Sequence, residues 1–588
     1  MISRRMTNDF RAPVIACSRR AYLARICLVV GFLALCWFGT LEMRALFTPD
    51  EGRYAAIPQE MLASGDWITP RLNGLKYFEK PPLQYWLTAT AFSLLGADEW
   101  TARLAPAALG FLALLMVMYA GAKLYGFRTG VLSGIVLASS WAFYLGSQFL
   151  TLDMTLSAFL TFALCSFMLA QRHAGTPKLH RRWMTIAWAS IALAFLSKGL
   201  VALVLPGLTL VVYSLWTRDL NVWLRLRPIT GSGIFILITA PWLIAVQMKN
   251  PEFFEFFFVH EHFGRYLQTG HSRTGAWWYY VPVLLLGALP WTPLLIQRAL
   301  HRKLPPLAPD LAGAVFSPSK FCGIWIVTTV AFFSVSQSKL PAYVMSAFPA
   351  IALLVGLWLR DLSARKIAVP AWTSLVMGAL LMLVFHNISA WNKFSSLGPG
   401  AMDASPWLLV AAATLMTSGA AGLSLISLHF RRSAIMAIAT GTFAFWQLFF
   451  VFFQSIDEHF SSKRIVESVM ESTPIPLSIP IFSLQHLDNS VPFYFGRSVT
   501  LVDTRGELGP GIDAEPHKVI ATMEAFEHRW RTSTDNAFAV MRTSTFVRLQ
   551  TTAFPMVIVA RDRRLVIVSR YATEPRESPK RVATRWFG

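Results

Sequence analysis

Long apolar segments separated by short charged stretches are the feature that most constrains the fold of this chain. Its 588 residues are 54% hydrophobic and only 14% charged, and the mean hydropathy is +0.47. A typical soluble domain carries about 25% charged residues, so this composition excludes an ordinary soluble fold. The sequence therefore predicts a polytopic α-helical membrane protein.

A membrane-spanning helix needs about 20 residues, and on that criterion we predict roughly thirteen spans. The apolar segments lie near residues 26–41, 105–119, 131–145, 154–169, 183–196, 201–215, 233–246, 278–295, 323–335, 344–359, 371–385, 407–428 and 435–453. The segment 81–96 is shorter than a span and begins with Pro81 and Pro82, so we predict an interfacial helix there.

Basic residues predict how these spans are oriented. Several arginines precede the first apolar segment, and the basic residues of later loops fall in alternate connections. The N-terminus is therefore predicted to be cytosolic, and the C-terminal region lies on the opposite side. A cleaved signal peptide is the alternative for the first segment, but the long tail without a clear cleavage site favours an uncleaved anchor. Most of the net charge of +21 is explained by these topology signals, although it also suits anionic lipid or phosphate.

The composition changes after residue 456. Residues 1–456 form the predicted transmembrane domain, with a first extracytoplasmic loop at 42–104, and residues 457–588 are more polar. We predict a C-terminal soluble α/β domain outside the membrane. Its strand-like runs lie at 481–484, 499–502, 556–560 and 565–569, and its helix-like stretches lie at 463–471 and 517–526. The five cysteines show no metal-ligand spacing and predict no disulfide framework.

Two charged motifs follow the first apolar segment: FTPDEGRYA, with Asp50, Glu51 and Arg53, and FEKPPLQYW, with Glu79 and Lys80. A carboxylate here could act as a general base, recognise a sugar or hold a metal, and a solvated turn is the alternative. Lys80 precedes two prolines that stiffen the chain, so its ammonium could bind a lipid phosphate. A snorkelling lysine is the alternative for this residue.

Further candidates are predicted on the same outward face. Asp153, in the stretch SQFLTLDMTLSAF, is either a helix cap or an active-site carboxylate. Arg265 suits a phosphate because its planar guanidinium can donate two parallel hydrogen bonds. Lys339 and Tyr343 lie in a later outward segment, SKLPAYV. Few charges lie deep in the predicted spans, which favours an interfacial enzyme over an ion-coupled transporter.

The stretch HEHFGRY also carries His260 and His262, which are two positions apart and do not share a helical face. A complete zinc site from this stretch alone is therefore not predicted. Glu79 and His260 could form a two-ligand metal site if their loops meet.

Together, these motifs, with WWYYVPVLLLGALPW, resemble the lipid A aminoarabinose transferases (ArnT). That family belongs to the wider protein-O-mannosyltransferase-like group of polyprenyl-phosphate-dependent glycosyltransferases, which have the GT-C fold. The resemblance implies an inverting enzyme of the bacterial inner membrane. It would transfer 4-amino-4-deoxy-L-arabinose from undecaprenyl phosphate to lipid A phosphates at the periplasmic face, and so confer resistance to polymyxin and cationic antimicrobial peptides.

The resemblance also implies roles for the candidate residues. They are Asp50 and Asp153 as catalytic carboxylates; Lys80 and Arg265 at the donor phosphate; Glu51, Arg53, Lys339 and Tyr343 as substrate ligands; and Glu79 and His260 as metal ligands. No cofactor is required by this assignment, and a divalent metal such as zinc is a candidate. A lipid A phosphate is already anionic near neutral pH, so Asp50 could orient the substrate rather than abstract a proton.

The expected partners are undecaprenyl phosphate-linked aminoarabinose, lipid A and the lipid bilayer, with no nucleic acid, and the chain is expected to act as a monomer. Another polyprenyl-phosphate sugar transferase, acting on lipopolysaccharide core or protein hydroxyls, is the alternative function. A lipid transporter is the alternative from another class.

Overall fold

The computed structural model describes residues 19–264, 275–300, 316–387, 399–473 and 475–572. It has a large helical domain followed by a smaller domain built on a β-sheet. The helical domain begins with α1 (Arg19–Phe38), α2 (Asp50–Ser64), the short strands β1 (Arg71–Leu72) and β2 (Leu75–Lys76), α3 (Leu83–Leu95), α4 (Glu99–Tyr125), α5 (Phe127–Ser139), α6 (Trp141–Ser147), α7 (Leu152–Arg172), α8 (Pro177–Lys198), α9 (Val201–Thr217), α10 (Asn221–Arg225) and α11 (Pro228–Lys249).

A π-helical segment at Glu255–Gly264 follows. The domain continues with α12 (Tyr280–Gly287), α13 (Thr292–Leu300), α14 (Pro318–Val335), a 3-10 segment at Pro341–Ala347, α15 (Phe348–Asp361), α16 (Ala364–His386), α17 (Pro399–Ser427) and α18 (Arg431–Gln454). Among the described residues, the largest cluster of buried apolar side chains runs through α4, α5, α7 and α15. Trp37, Trp291 and Trp325 are almost fully buried in this cluster.

Within the described residues, eight helices are long and apolar enough to cross a membrane, or nine if α5 and α6 form one broken span. The chain is therefore a multi-pass membrane protein. The sequence predicts roughly thirteen spans, more than this number. The difference comes from helices that are short or flanked by charge, such as α9, which has 17 residues.

Two predicted spans are interrupted. The segment predicted at 131–145 is split between α5 and α6, which meet at a bend of 68°. The segment predicted at 278–295 is divided between α12 and α13. Hydropathy alone did not reveal these breaks, because Ser140 and Pro290 interrupt segments that are otherwise largely apolar.

The first loop, 42–104, is folded and does not form a simple connection. It contains α2, the antiparallel pair β1–β2, and α3, whose 13 residues fall within the segment 81–96 predicted to be helical. Gly52 is the glycine of the DEG motif, and a Cβ atom there would lie 2.6 Å from the backbone nitrogen of Ser490. Only glycine allows the loop and the C-terminal domain to approach so closely.

The C-terminal domain contains α19 (Asp457–Phe460), α20 (Lys463–Ser472), β3 (Ile481–Leu484), α21 (Val491–Phe495), β4 (Thr500–Val502), α22 (Gly509–Ala514), α23 (Met523–Thr532), β5 (Phe538–Arg542), α24 (Thr543–Thr551), β6 (Val557–Arg561) and β7 (Leu565–Ser569). The sheet order is β4-β3-β5-β7-β6, in which β3 pairs parallel with β4 and β5 and the other pairs are antiparallel. Buried apolar side chains cover both faces of this sheet.

The α/β class predicted for this domain agrees with the structure, and the four predicted strands match observed strands to within one residue. Strand β5, at the centre of the sheet, was missed. The helix predicted at 517–526 is displaced, because Pro516–Lys518 forms a 3-10 turn and α23 begins at Met523.

The loop and the C-terminal domain are joined by polar contacts. Asn73 and Val499 exchange two hydrogen bonds of 2.7 Å. Arg71 forms an ion pair with Glu515 at 2.8 Å, and Lys463 reaches Glu99 at 2.7 Å. Hydrogen bonds and ion pairs therefore bind the C-terminal domain to the loop 42–104, which carries Asp50, Glu51 and Arg53.

Candidate active site

A buried cluster of charged side chains holds the start of α2. Glu51 is 1% exposed, and its carboxylate accepts hydrogen bonds from Arg44 at 2.7 Å and from Arg103 at 2.7 and 2.9 Å. The backbone N–H groups of Phe47 and Leu150 also donate to it, each at 3.0 Å. Burial raises the pKa of Glu51, but Arg103 and Arg44 outweigh it and lower the pKa to about 2.

The two arginines of this cluster have further partners. Arg103 donates to the carbonyl oxygens of Leu41, Arg44 and Ala45, each at 2.8 Å. The Arg44 guanidinium lies 3.8 Å from the centre of the Phe149 ring. The predicted role of Glu51 as a substrate ligand does not fit this burial, because both of its oxygens are already bound. We therefore correct that assignment: Glu51 joins α2 to α4 and to the segment before α7.

Asp50 is adjacent in sequence but lies in a different environment. Its side chain is 42% exposed, and it forms an ion pair with Arg53 one helical turn away. Arg53 also pairs with Glu507 of the C-terminal domain and donates to the Tyr77 hydroxyl at 3.1 Å. Asp50 therefore keeps an accessible carboxylate, whereas Arg53, which is 7% exposed, links the loop 42–104 to the C-terminal domain.

Tyr54 connects Asp50 with the other predicted carboxylates. Burial raises the pKa of its phenol, the Arg53 guanidinium lowers it, and the charges of Asp50, Glu79 and Asp153 raise it further. The fold therefore places the Tyr54 phenol within electrostatic reach of three carboxylates that are far apart in the sequence.

Lys80 and Glu79 lie on the same rim of the site. Their side chains are 18% and 14% exposed, and the Lys80 ammonium lies 4.0 Å from the Glu79 carboxylate and 2.7 Å from the Glu79 carbonyl oxygen. Lys80 is thus a partly exposed cation beside Pro81, at the start of the segment that leads into α3. This placement suits a ligand for a lipid phosphate.

Asp153 lies in the first turn of α7, but Thr151 is the residue at the N-cap position. Its carboxylate forms an ion pair with Lys198, the last residue of α8. The Lys198 ammonium lies 4.7 Å from the centre of the Tyr343 ring. Asp153 is therefore not the N-cap residue of α7, and its role in the site stays a prediction.

Lys339, in the segment that follows α14, is 7% exposed. Its ammonium donates to the carbonyl oxygens of Ser334 and Ser336, each at 2.8 Å, and lies 5.7 Å from the centre of the Tyr280 ring. Burial lowers the pKa of Lys339. Backbone carbonyls therefore hold this cation at the end of α14.

Two predicted residues cannot be placed in the site. Arg265 and the side chain of His260 lie outside the described residues. Among the residues that are described, no group of three or more histidine, cysteine, aspartate or glutamate side chains could hold a metal. The two-ligand metal site of Glu79 and His260 stays a prediction.

Sequence reasoning missed several residues that shape the site, above all Arg44, Arg103, Tyr54 and the pairing of Lys198. A local signal existed for Lys198, because it ends an apolar helix and is followed by Gly199. None existed for Arg103, whose partner Glu51 is 52 positions away.

Comparison with known proteins identifies the family. The model for the aminoarabinose transferase C-terminal domain matches residues 468–570, and that for the dolichyl-phosphate-mannose-protein mannosyltransferases matches residues 23–257. An undecaprenyl phosphate-alpha-4-amino-4-deoxy-L-arabinose arabinosyl transferase of Erwinia tasmaniensis is 30% identical, over 66% of this chain and 71% of the relative. The chain belongs to the aminoarabinose transferase family. A relative of the same name from Pseudomonas paraeruginosa is 28% identical over 87% of this transferase and 92% of its own length.

Solved structures agree with this assignment along nearly the whole transferase. The crystal structure of ArnT from Cupriavidus metallidurans bound to undecaprenyl phosphate is similar at a TM-score of 0.86 and 33% identity, covering 94% of this chain and 98% of that one. The structure of the same protein in the apo state gives a TM-score of 0.85. The transferase therefore has the GT-C membrane fold with a C-terminal domain and is a glycosyltransferase.

Proposed function

We propose that this enzyme transfers 4-amino-4-deoxy-L-arabinose from undecaprenyl phosphate to a phosphate of lipid A. The reaction would take place at the periplasmic face of the bacterial inner membrane, with inversion at the anomeric carbon. The observation that carries the proposal is the similarity along 94% of the chain to an ArnT structure bound to undecaprenyl phosphate. The cationic sugar would mask negative charge on lipid A and weaken the attraction of polymyxin and other cationic peptides.

The arrangement of charges supports a single displacement. A phosphate oxygen of lipid A forms the new bond to the anomeric carbon, while the bond from that carbon to undecaprenyl phosphate breaks. The departing polyprenyl phosphate takes the electron pair, and the partly exposed ammonium of Lys80 is proposed to offset its charge. Arg265 is proposed as a second ligand of the same phosphate.

The acceptor phosphate needs little or no deprotonation, so Asp50 need not act as a base. Its exposed carboxylate can instead bind the ammonium group of the sugar or stabilise positive charge that develops at the anomeric carbon. Asp153, paired with Lys198, provides a second carboxylate, and Tyr343 and Lys339 line the same region.

The test is to express the chain in a host that makes the aminoarabinose donor but lacks its own transferase, and to analyse lipid A by mass spectrometry. Wild type should add aminoarabinose, and Asp50→Ala and Lys80→Ala should not. Arg218→Ala is a suitable control, because Arg218 is exposed and follows the last residue of α9, about 25 Å along the helix from the end that adjoins Lys198. Folded wild type that leaves lipid A unmodified would contradict the proposed substrate pair and favour another sugar or acceptor.

Metal dependence is tested on the same enzyme. If Glu79 and His260 hold a divalent ion, treatment with a chelator should lower activity, and zinc should restore it. Activity that is unchanged after chelation, with the metal content measured as negligible, would remove the metal from the proposal.

A further inference from the structure

A cavity of about 540 Å³ lies between the loop that precedes α2 and the C-terminal domain. Thr48 and Pro49 form one wall, and the facing wall carries His486, Arg542 and Arg564. No residue predicted for the active site lines this cavity, but Pro49 directly precedes Asp50 in the chain. The lining of the cavity therefore does not include Lys80, but the cavity adjoins the loop that carries Asp50.

The wall of the cavity is positively charged. Arg542 is exposed and contacts the His486 ring nitrogen Nε2 at 3.3 Å. It forms no ion pair with a carboxylate in the part of the chain that the structure describes. Arg564 forms an ion pair with Asp488 and donates to the carbonyl oxygen of His459 at 3.2 Å. Two guanidiniums therefore face one carboxylate on this wall.

Further hydrogen-bonding groups of the wall come from the start of a helix. Helix α24 begins at this wall without a side-chain cap, and Ser544 in its first turn lines the cavity. Guanidinium groups, a hydroxyl and the start of a helix together favour an anion with several oxygen acceptors.

We propose that this cavity binds a phosphate of the acceptor lipid and holds that lipid against the loop that carries Asp50. The inference rests on the proposed function and deepens it, because it assigns the acceptor a docking site on the C-terminal domain. A phosphate accepts paired hydrogen bonds from a guanidinium, so Arg542 and Arg564 are suited to it. Lipid A carries more than one phosphate, so one can be anchored here while another reacts.

The kinetic test uses the purified full chain with a fixed donor concentration and varied lipid A. Arg542→Gln should raise KM for lipid A about 10-fold, as expected when a charge-assisted contact is lost. In the same variant, the KM for the donor and the value of kcat should change less than about 2-fold. Arg548→Gln is the matched control, since Arg548 is an exposed arginine on the same helix that does not line the cavity.

A binding measurement separates this inference from the proposed function. Wild type, Arg542→Gln and Arg548→Gln are titrated without donor, using lipid A, chemically dephosphorylated lipid A, phosphatidylglycerol nanodiscs and inorganic phosphate. Wild type and Arg548→Gln should prefer phosphorylated lipid A over the dephosphorylated form, and Arg542→Gln should lose that preference. Thermal unfolding of each variant shows that the protein is folded.

The outcomes are distinguishable. An Arg542 variant with unchanged acceptor KM and unchanged preference for phosphorylated lipid A would overturn the inference. Binding of phosphatidylglycerol or free phosphate that depends on Arg542, with unchanged KM for lipid A, would also overturn it and assign the cavity to a general anion. Binding of lipid A that depends on Arg542, in an enzyme that transfers no aminoarabinose, would support the cavity and contradict the proposed function.

Discussion

Asp50 and Glu51 are neighbours in the sequence, yet they belong to two regions with opposite properties. Glu51 is 1% exposed and receives hydrogen bonds from two arginines and two backbone N–H groups. The Asp50 side chain is 42% exposed and has Arg53 as its ion-pair partner. Two adjacent carboxylates can therefore have different roles: the buried Glu51 carboxylate fixes the loop, and the exposed Asp50 carboxylate is left accessible for the role proposed above.

Replacement of Glu51 should produce the largest effect. Glu51→Gln leaves Arg44 and Arg103 buried with no carboxylate between them, and breaking a buried pair in this way costs about 3–5 kcal/mol. We expect a large fall in thermal unfolding temperature and in the amount of folded protein in the membrane. Asp50→Asn is the matched control and should unfold at the wild-type temperature. Equal stability of the two variants would show that the buried cluster does not hold the loop.

Replacement of Asp50 should affect activity and leave stability unchanged. Asp50→Asn keeps the size of the side chain but removes its charge, and loss of one electrostatic contact to the transition state lowers kcat about 100-fold. The rate of aminoarabinose transfer by purified enzyme measures this effect. The idea fails if Asp50→Asn retains nearly full activity while an Asp153→Asn variant loses it.

Asp153 should show intermediate behaviour, because its side chain is 14% exposed and its partner Lys198 is 16% exposed. We expect Asp153→Asn to lower kcat/KM about 10-fold, with a smaller loss of stability than Glu51→Gln. Lys198→Met provides the comparison, since it removes the cation and keeps a similar length of side chain. If Asp153→Asn destabilises the protein as much as Glu51→Gln, Asp153 is a structural carboxylate and its assignment to the site is wrong.

The smallest expected effect concerns Glu60, a carboxylate of α2 with no arginine bound to it. Glu60 accepts a hydrogen bond from the backbone N–H of Gly74 at 2.8 Å, and burial raises its pKa from 4.5 to about 7. The folded state therefore binds more protons than the unfolded state between these two pH values. The free energy of unfolding must then fall as pH rises across that range.

This dependence is measured as the difference in unfolding temperature between wild type and Glu60→Gln, which carries no titrating proton. The unfolding temperature of wild type, relative to that of Glu60→Gln, should fall as pH rises from 4.5 to about 7. Above that range the difference should be constant. A difference that is independent of pH would show that the pKa of Glu60 is not raised in the folded protein.

Much of the fold could be predicted because its signals are local. The runs IFSL and LVIVS predict strands at 481–484 and 565–569, and the structure has strands at both. Strand β5, FAVMR, was missed, although it pairs with both β3 and β7 at the centre of the sheet. Its position depends on partners elsewhere in the chain, which a short apolar run does not specify.

The candidate site was predicted in part for the same reason. Asp50, Lys80 and Asp153 could be selected because each lies in a compact motif, FTPDEGRYA, FEKPPLQYW or TLDMTLSAF, that can be recognised from neighbouring residues alone. The sequence did not distinguish Asp50 from Glu51, and it did not pair Asp153 with Lys198, which is 45 positions away. Contacts between distant residues leave no periodic pattern in the sequence.

The sequence by itself determined that this protein is a multi-pass membrane glycosyltransferase with an α/β domain at its C-terminus, because length, hydropathy and compact motifs are properties of neighbouring residues. The tertiary structure alone decided which carboxylate is buried, where the apolar segments break, and how the C-terminal domain meets the first loop at Gly52 and Arg53. Those features depend on burial and on ion pairs between distant segments, and burial exists only once the chain has folded.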